Sequence, residues 1–173
     1  MIRLALSALL LAVLACAPGC ASDPSRGYSF GAAYSDDIRT IATPIFDNVT
    51  FSHGLESLLA EAVVKEIHRT TPWGVTAPGA ADTTLSGSIT EVTLRKLNTD
   101  STSGFVSELA VDISIDFEWR DNRSGQTILT RRNFRGVGSF APGTGAGEPI
   151  ELGEQAAVER LAAAIVNELR SDW

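Results

Sequence analysis

Along this chain the spacing of apolar positions changes period several times, and each period names an element. From Leu55 to Arg69 they recur at three and four (Leu55, Leu58, Leu59, Ala62, Val63, Ile67), one stripe along an amphipathic helix with Glu56, Glu61, Lys65 and Arg69 opposite it. Acids early and bases late complement the helix dipole, and Thr70, Thr71, Pro72 and Gly74 stop the helix. From Asp82 to Leu97 the period is two, with Leu85, Gly87 and Ile89 on one parity and Val92 and Leu94 on the other. A half-buried strand that changes parity needs a bulge, placed here at Thr90 and Glu91. Leu109, Val111, Ile113, Ile115, Phe117 and Trp119 then alternate unbroken with Ala110, Asp112, Ser114, Asp116, Glu118 and Arg120, a strand with one core face and one wet face. A turn over Asp121, Asn122, Arg123, Ser124 and Gly125 leads into a further strand from Gln126 to Phe140, so these three strands form an antiparallel meander.

Two elements flank this centre. Ile38 to Phe46 reads as a strand running into Pro44, with Asp47, Asn48 and Thr50 as the turn after it. Beyond the Gly/Pro-rich loop Ala141 to Pro149, a second amphipathic helix runs from Leu152 to Arg170 on the stripe Val158, Leu161, Ala162, Ile165 and Leu169. The predicted order is β-α-β-β-β-α. Each helix has a single stripe to bury, so the expected class is α+β: a two-layer sandwich with two helices on one face of a four-stranded mixed sheet.

The first apolar run, Leu4 to Leu14 behind Arg3, is too short to cross a bilayer, and it ends Val13-Leu14-Ala15-Cys16 with a second cysteine at Cys20. This is a lipoprotein export signal. Lipid attachment is expected at Cys16, which has Ala15 before it and Val13 three before, with Cys20 as the alternative. The organisation that follows is a signal over 1–15 (1–19 if Cys20 is used), a flexible tether over 16–35 containing Tyr28 and Phe30, and one domain over 36–173. No cysteine lies beyond Cys20, so the domain rests on packing without disulfides. The net charge of −7 over 173 residues argues against nucleic acid, which needs a basic face to displace counterions.

Catalytic constellations are not apparent. His53 and His68 are the only histidines, with no cysteine nearby to complete a metal site. The glycines of 143–147 lack the Gly-Lys-Ser/Thr of a phosphate loop, and there is no Gly-x-Ser-x-Gly elbow. Asp112, Asp116 and Glu118 share a strand face but read as its solvated side. The sequence predicts no enzyme and no cofactor. Charge does gather locally: Arg120, Arg123, Arg131, Arg132 and Arg135 fall in one hairpin, and Arg95 and Lys96 close the strand before it. Such a set engages phosphates by bidentate hydrogen bonds, or else protects an edge strand and pairs with Asp116, Glu118 and Asp121.

The chain resembles the lipopolysaccharide-assembly lipoproteins of the outer membrane, the LptE family. The resemblance rests on the lipobox and Gly27-Tyr28-Ser29-Phe30, then on Ile38-Arg39-Thr40-Ile41-Ala42-Thr43-Pro44-Ile45-Phe46-Asp47-Asn48. It continues in Leu55, Glu56 and Leu59, in Leu85-Ser86-Gly87-Ser88-Ile89, and in Ala157, Val158, Leu161, Ile165 and Leu169. It implies a sandwich anchored by N-terminal lipid to the periplasmic face of the outer membrane and seated in a large β-barrel partner, LptD. There the domain would plug the barrel, assist its assembly and bind lipopolysaccharide or a related glycolipid. By charge and place, Arg95, Lys96, Arg131, Arg132 and Arg135 are the candidate glycolipid contacts. The alternative is a generic envelope lipoprotein that serves another periplasmic or outer-membrane partner without catalysis. Apolar residues are used up in two stripes and one sheet face, which fits a plug in a wet lumen better than a lipid carrier with a large cavity.

Overall fold

The computed structural model describes residues 38–102, 104–143 and 147–171. The signal, Cys16, Cys20 and the tether lie outside them. Strands β1 (Thr40–Ala42) and β2 (Asp47–Asn48) precede helix α1 (Leu55–Thr70); β3 (Gly74–Val75), β4 (Thr83–Thr99), β5 (Val106–Asp121) and β6 (Thr127–Phe140) follow; helix α2 (Ile150–Ser171) closes the chain. The sheet runs β3-β1-β4-β5-β6, with β2 on the same edge of β4 as β1. The β4-β5-β6 meander is antiparallel as expected, and the pairings of β1 with β3 and β4 and of β2 with β4 are parallel.

The sheet therefore has six strands, not four, and the order is β-β-α-β-β-β-β-α. Pro44 accounts for one difference. Ala42 faces Thr84 and Asp47 faces Ser88, so β1 and β2 advance five residues (42 to 47) while β4 advances four (84 to 88). The chain bows away around Pro44, which has no N–H for the ladder, and rejoins β4. Asp47 and Asn48, expected in a turn, are thus a second stretch of strand. β3 is two residues behind the stop of α1, too short for any periodicity to reveal.

The bulge in β4 lies where the parity change required it. Pairing skips from Ile89 opposite Ile115 to Glu91 opposite Ser114, so Thr90 is extra. Both helices deliver their stripes to one core on one side of the sheet, around the wholly buried Ile41, Leu59, Leu85, Ile113, Trp119, Leu161 and Ile165. Each such side chain contributes about 1.5–3 kcal/mol by leaving water. The Trp73 and Trp119 rings lie 5.5 Å apart, and Phe134 meets Phe117 edge-on at 5.4 Å. Leu58 and Ala62 of the predicted stripe turn instead toward the groove between α1 and α2, which Val158 and Ala162 also line. The second face of β5 is less wet than its alternation suggests. Ala110 is buried, and Ser114 is 3% exposed because Glu91 and Arg135, its neighbours in register, reach toward each other over it at 4.0 Å.

Helix α1 has no side-chain N-cap; Gly54 precedes it at φ 94. Asn48 organises its entry instead. Its Nδ2 donates to Ser52 O and Glu56 Oε2, both at 2.8 Å, and its Oδ1 accepts the Thr50 N–H at 2.9 Å and the Thr50 hydroxyl at 2.7 Å. Glu56 in turn accepts the Gly54 N–H at 3.0 Å. The Asn48 bond, first among the causes, holds the Glu56 carboxyl below its usual range.

Helix α2 lies against β6 at backbone distance. A Cβ at Gly136 would stand 2.7 Å from Ala157 O, and one at Gly138 would overlap Gly153 O and Ala157 N. Gly153 itself faces the Phe140 ring and Val111. Gly138→Ala is expected to lower stability by about 1–3 kcal/mol, as backbone has to move apart. Gly79→Ala, where the added carbon meets nothing within 4 Å, should stay within about 0.5 kcal/mol of wild type; urea denaturation of both variants checks this.

Asp82 ties β1 to the rest. It accepts the N–H groups of Arg39 and Thr40, each at 3.0 Å, the Thr40 hydroxyl at 2.9 Å, and the Arg123 guanidinium from the β5–β6 turn. The Arg39 N–H, then the Thr40 hydroxyl and Arg123, hold its carboxyl at about 2, below the ordinary 3.8. A carboxyl depressed by folding stabilises fully above its unfolded value, so this contribution is present above pH about 4 and is lost as pH falls toward about 2. Thermal melts across that window should drop more steeply for wild type than for Asp82→Asn, which lacks the titrating group; parallel curves would refute the assignment.

Candidate functional site

The arginine-rich hairpin is the feature that chemistry singles out, and the alternation of β5 and β6 divides it between two faces. On the helix-free face, Arg95 Nε meets Asp112 Oδ2 at 3.2 Å, Arg135 faces Glu91, and Arg120 Nη2 meets Glu118 Oε1 at 2.8 Å. The bulge in β6, at Arg132 and Asn133 opposite Asp116, turns the Asn133 N–H onto Asp116 Oδ1 at 2.8 Å. Asn133 takes φ 51 there, a left-handed conformation that asparagine tolerates better than most residues. Arg132 lines an open trough of about 560 Å³ with Ile45, Ser86, Ser88, Asp116 and Glu118.

Arg131 behaves differently. It stands opposite Phe117, whose side chain is in the core, and its guanidinium reaches Glu168 of α2 at 2.8 Å. Lys96 pairs in register with Leu109 on the helix side of the sheet, near the tip of the β4–β5 hairpin. The five candidate cations are therefore not one cluster: Arg95, Arg132 and Arg135 share the helix-free face, Lys96 is on the other side, and Arg131, which also borders the trough, commits its guanidinium to Glu168 of α2. Arg95, Arg131 and Arg135 are engaged by acids, and among the described residues Arg132 and Lys96 have no ion-pair partner. Of the ion pairs expected from sequence, Arg120 with Glu118 alone forms among the described residues; Arg123 goes to Asp82.

Two acids of the β5–β6 hairpin are held below the usual carboxylate range. The Thr127 hydroxyl at 2.7 Å, and then Arg120, keep the Glu118 carboxyl low. The N–H groups of Ser124 and Arg123 do the same for Asp121, forming the turn that sequence placed there. Glu154 near the start of α2 is the exception, pushed up by burial and then by Glu151. His53 and His68 are both on exposed surface. Among the described residues no group of three or more His, Cys, Asp or Glu is placed to hold a metal.

A second surface was not visible in the charge pattern. Around the end of the sheet where both helices begin, large apolar side chains are exposed: Phe51 at 99% and Val49 at 72% in the loop into α1, Leu152 in the first turn of α2, and Leu94 at 55% and Phe105 at 63% on the hairpin. For Leu94 the signal was a strand parity that runs past the helices' own span; the others lie outside any strand alternation. The helices start near Ile89 and Val111, and the hairpin continues beyond them. Among the described residues no helix is long and apolar enough to cross a membrane.

Comparison with known proteins adds three findings. The model of the LptE family, described as lipopolysaccharide-assembly, matches residues 38–172. No curated protein matches the chain. Among solved structures, the hypothetical protein CT253 from Chlamydia trachomatis is similar with TM-score 0.52 and 11% identity, covering 77% of this chain and 96% of that one. A PelC dodecamer from Paraburkholderia phytofirmans is similar with TM-score 0.50 and 15% identity, covering 80% of this chain and 93% of that one. At such identities the two structures speak to the fold alone.

Proposed function

The chain belongs to the lipopolysaccharide-assembly family LptE, and from that premise we propose that it is an outer-membrane lipoprotein that plugs an LptD-like β-barrel. In this reading it assists assembly of the barrel and takes part in moving lipopolysaccharide to the cell surface. The match over residues 38–172, which spans all the described residues, is the observation that carries it. The anchor would be the lipid on Cys16 or Cys20, holding the domain on the periplasmic face. Two membrane-bound partners meet at a far higher effective concentration than two free ones, and more than one acyl chain is needed for a lasting hold.

The faces of the sandwich support this reading. The helix side gathers most of its apolar residues in one core, and the other face carries arginines largely paired with carboxylates, suited to the wet lumen of a wide barrel. No step in the role calls for a catalytic residue. Direct glycolipid contact, if it falls to the five candidate cations, falls first to Arg132. Among the described residues it is the one candidate cation of the helix-free face with no ion-pair partner, and it shares its trough with Ser86 and Ser88. Arg95, Arg131 and Arg135 would first have to leave Asp112, Glu168 and Glu91.

Depletion of the protein should lower both the amount of correctly assembled partner barrel and the surface lipopolysaccharide, measured on intact cells. Normal levels of both would overturn the reading. Arg132→Glu should weaken binding of a phosphorylated glycolipid roughly tenfold, the loss of one charge-assisted hydrogen bond, with little change in stability. Arg131→Glu should instead cost about 1 kcal/mol of stability by opposing Glu168; equal binding by wild type and Arg132→Glu would remove Arg132 from the contact set.

A further inference from the structure

The two long edges of the sheet are not treated alike. The outer edge of β6 is guarded: Val137 O accepts from Arg160 Nη1 at 2.5 Å, Thr130 O accepts from Arg131 Nη1 at 3.3 Å, and the bulge at Asn133 breaks the line of the strand. Such devices keep a second chain from adding a strand. On the opposite side, β1 and β2 cover β4 only to Ile89, whose carbonyl takes the Val49 N–H at 3.1 Å. Past the bulge, Glu91, Thr93 and Arg95 face Ser114, Asp112 and Ala110 of β5. Strand alternation then turns the backbone groups of Val92, Leu94 and Lys96 away from β5. Among the described residues no strand pairs with them, and from Glu91 to Thr99 every residue but the half-buried Val92 is exposed.

We propose that this open edge of β4, the regular stretch Val92 to Lys96 that ends where pairing with β5 shifts register before Asn98, receives an added strand from a partner protein. The occupant is an extended segment, apolar at the alternate positions that face Val92 and Leu94 and carrying a carboxylate opposite Lys96. The register continues that of β2, which already lies on this edge and leaves it after Asn48, so the added strand extends an existing ladder. Charge identifies the occupant further. Arg95, on the other face, is satisfied by Asp112 at 3.2 Å, which leaves Lys96 as the cation to be met. A second copy of this edge cannot meet it, because Val92, Leu94 and Lys96 offer no acid in any register. A lipid surface fails for another reason: bare N–H and C=O groups are costly against hydrocarbon. Main-chain bonds would supply affinity and the alternate side chains selectivity, as in strand addition generally. The inference rests on the fold and holds whichever reading of function is right.

Residue-resolved hydrogen exchange on the full chain tests it, comparing the envelope fraction of cells that make the protein with the purified protein. Exchange at the amides of Val92, Leu94 and Lys96 should slow by at least about tenfold in the envelope, while Glu91, Thr93 and Arg95, already turned to β5, stay unchanged. Leu94→Pro removes an outward N–H that the fold does not use and should abolish the protection. Lys96→Glu leaves every backbone group in place and should weaken it, which keeps the test decisive if the proline variant misfolds. Equal rates in the two samples would overturn the proposal. So would protection that appears in the purified protein and grows with its concentration, which marks a second copy, or protection of both parities indifferent to Lys96→Glu, which marks a lipid surface.

Discussion

Everything on the helix side depends on how closely α2 approaches β6. Gly136 and Gly138 let the helix backbone lie on the strand itself, and Gly153 makes room for Phe140 and Val111 at the start of that contact. A side chain at any of these positions would lift the helix, and a helix held even slightly higher would leave Val158, Leu161, Ile165 and Leu169 short of Ile113, Ile115 and Phe117. Dispersion falls off steeply with a gap of that size. The same contact fixes where α2 begins. Because the helix enters at Phe140 and Val111, the hairpin beyond Val111 has no helix over it, and the exposed Leu94 and Phe105 follow from the position of three glycines.

Two bulges then decide which residues face that helix. Thr90 in β4 and the Arg132–Asn133 pair in β6 lie on either side of β5 around Ser114 to Asp116. Each resets the parity of its strand, so Val92 and Leu94 continue the face begun by Leu85 and Ile89, and Phe134 continues the face of Leu129. Without them the outer halves of both strands would carry charge into the core.

Most of this was legible where a pattern ran long enough to be periodic. The two helices, the meander and the bulge at Thr90 could be read because a stripe or an alternation of many residues outweighs any single exception. What escaped was short or distant. β3 is Gly74 and Val75, and two residues have no period. Asp82 reaches Thr40 across 42 positions, a separation that leaves no local trace. Asn48 was half readable: an asparagine two before Thr50 predicts the local turn, but its second role at Glu56 depends on α1 folding back. The arginines misled for a related reason. Proximity in sequence placed Arg131 and Arg132 together, whereas neighbours along a strand point to opposite faces, and only the bulge and the core position of Phe117 reveal which is which.

The charged face is better understood as a covering than as an attraction. Exposed ion pairs contribute between nothing and about 1 kcal/mol each, so Arg95 with Asp112 and Arg120 with Glu118 are not what holds the sheet together. Their long stems lie over small residues, as Glu91 and Arg135 do over Ser114, and keep that face polar without exposing backbone. A face whose charges are matched internally has little net field with which to draw a ligand from a distance, in keeping with the acidity of the whole chain. Recognition on such a body has to come from points where matching is incomplete: Arg132 on one face, and on the other Lys96 beside an open line of backbone groups. The first suits an anion and the second a strand, and because they lie on opposite sides of one sheet, a partner could occupy either without displacing the other.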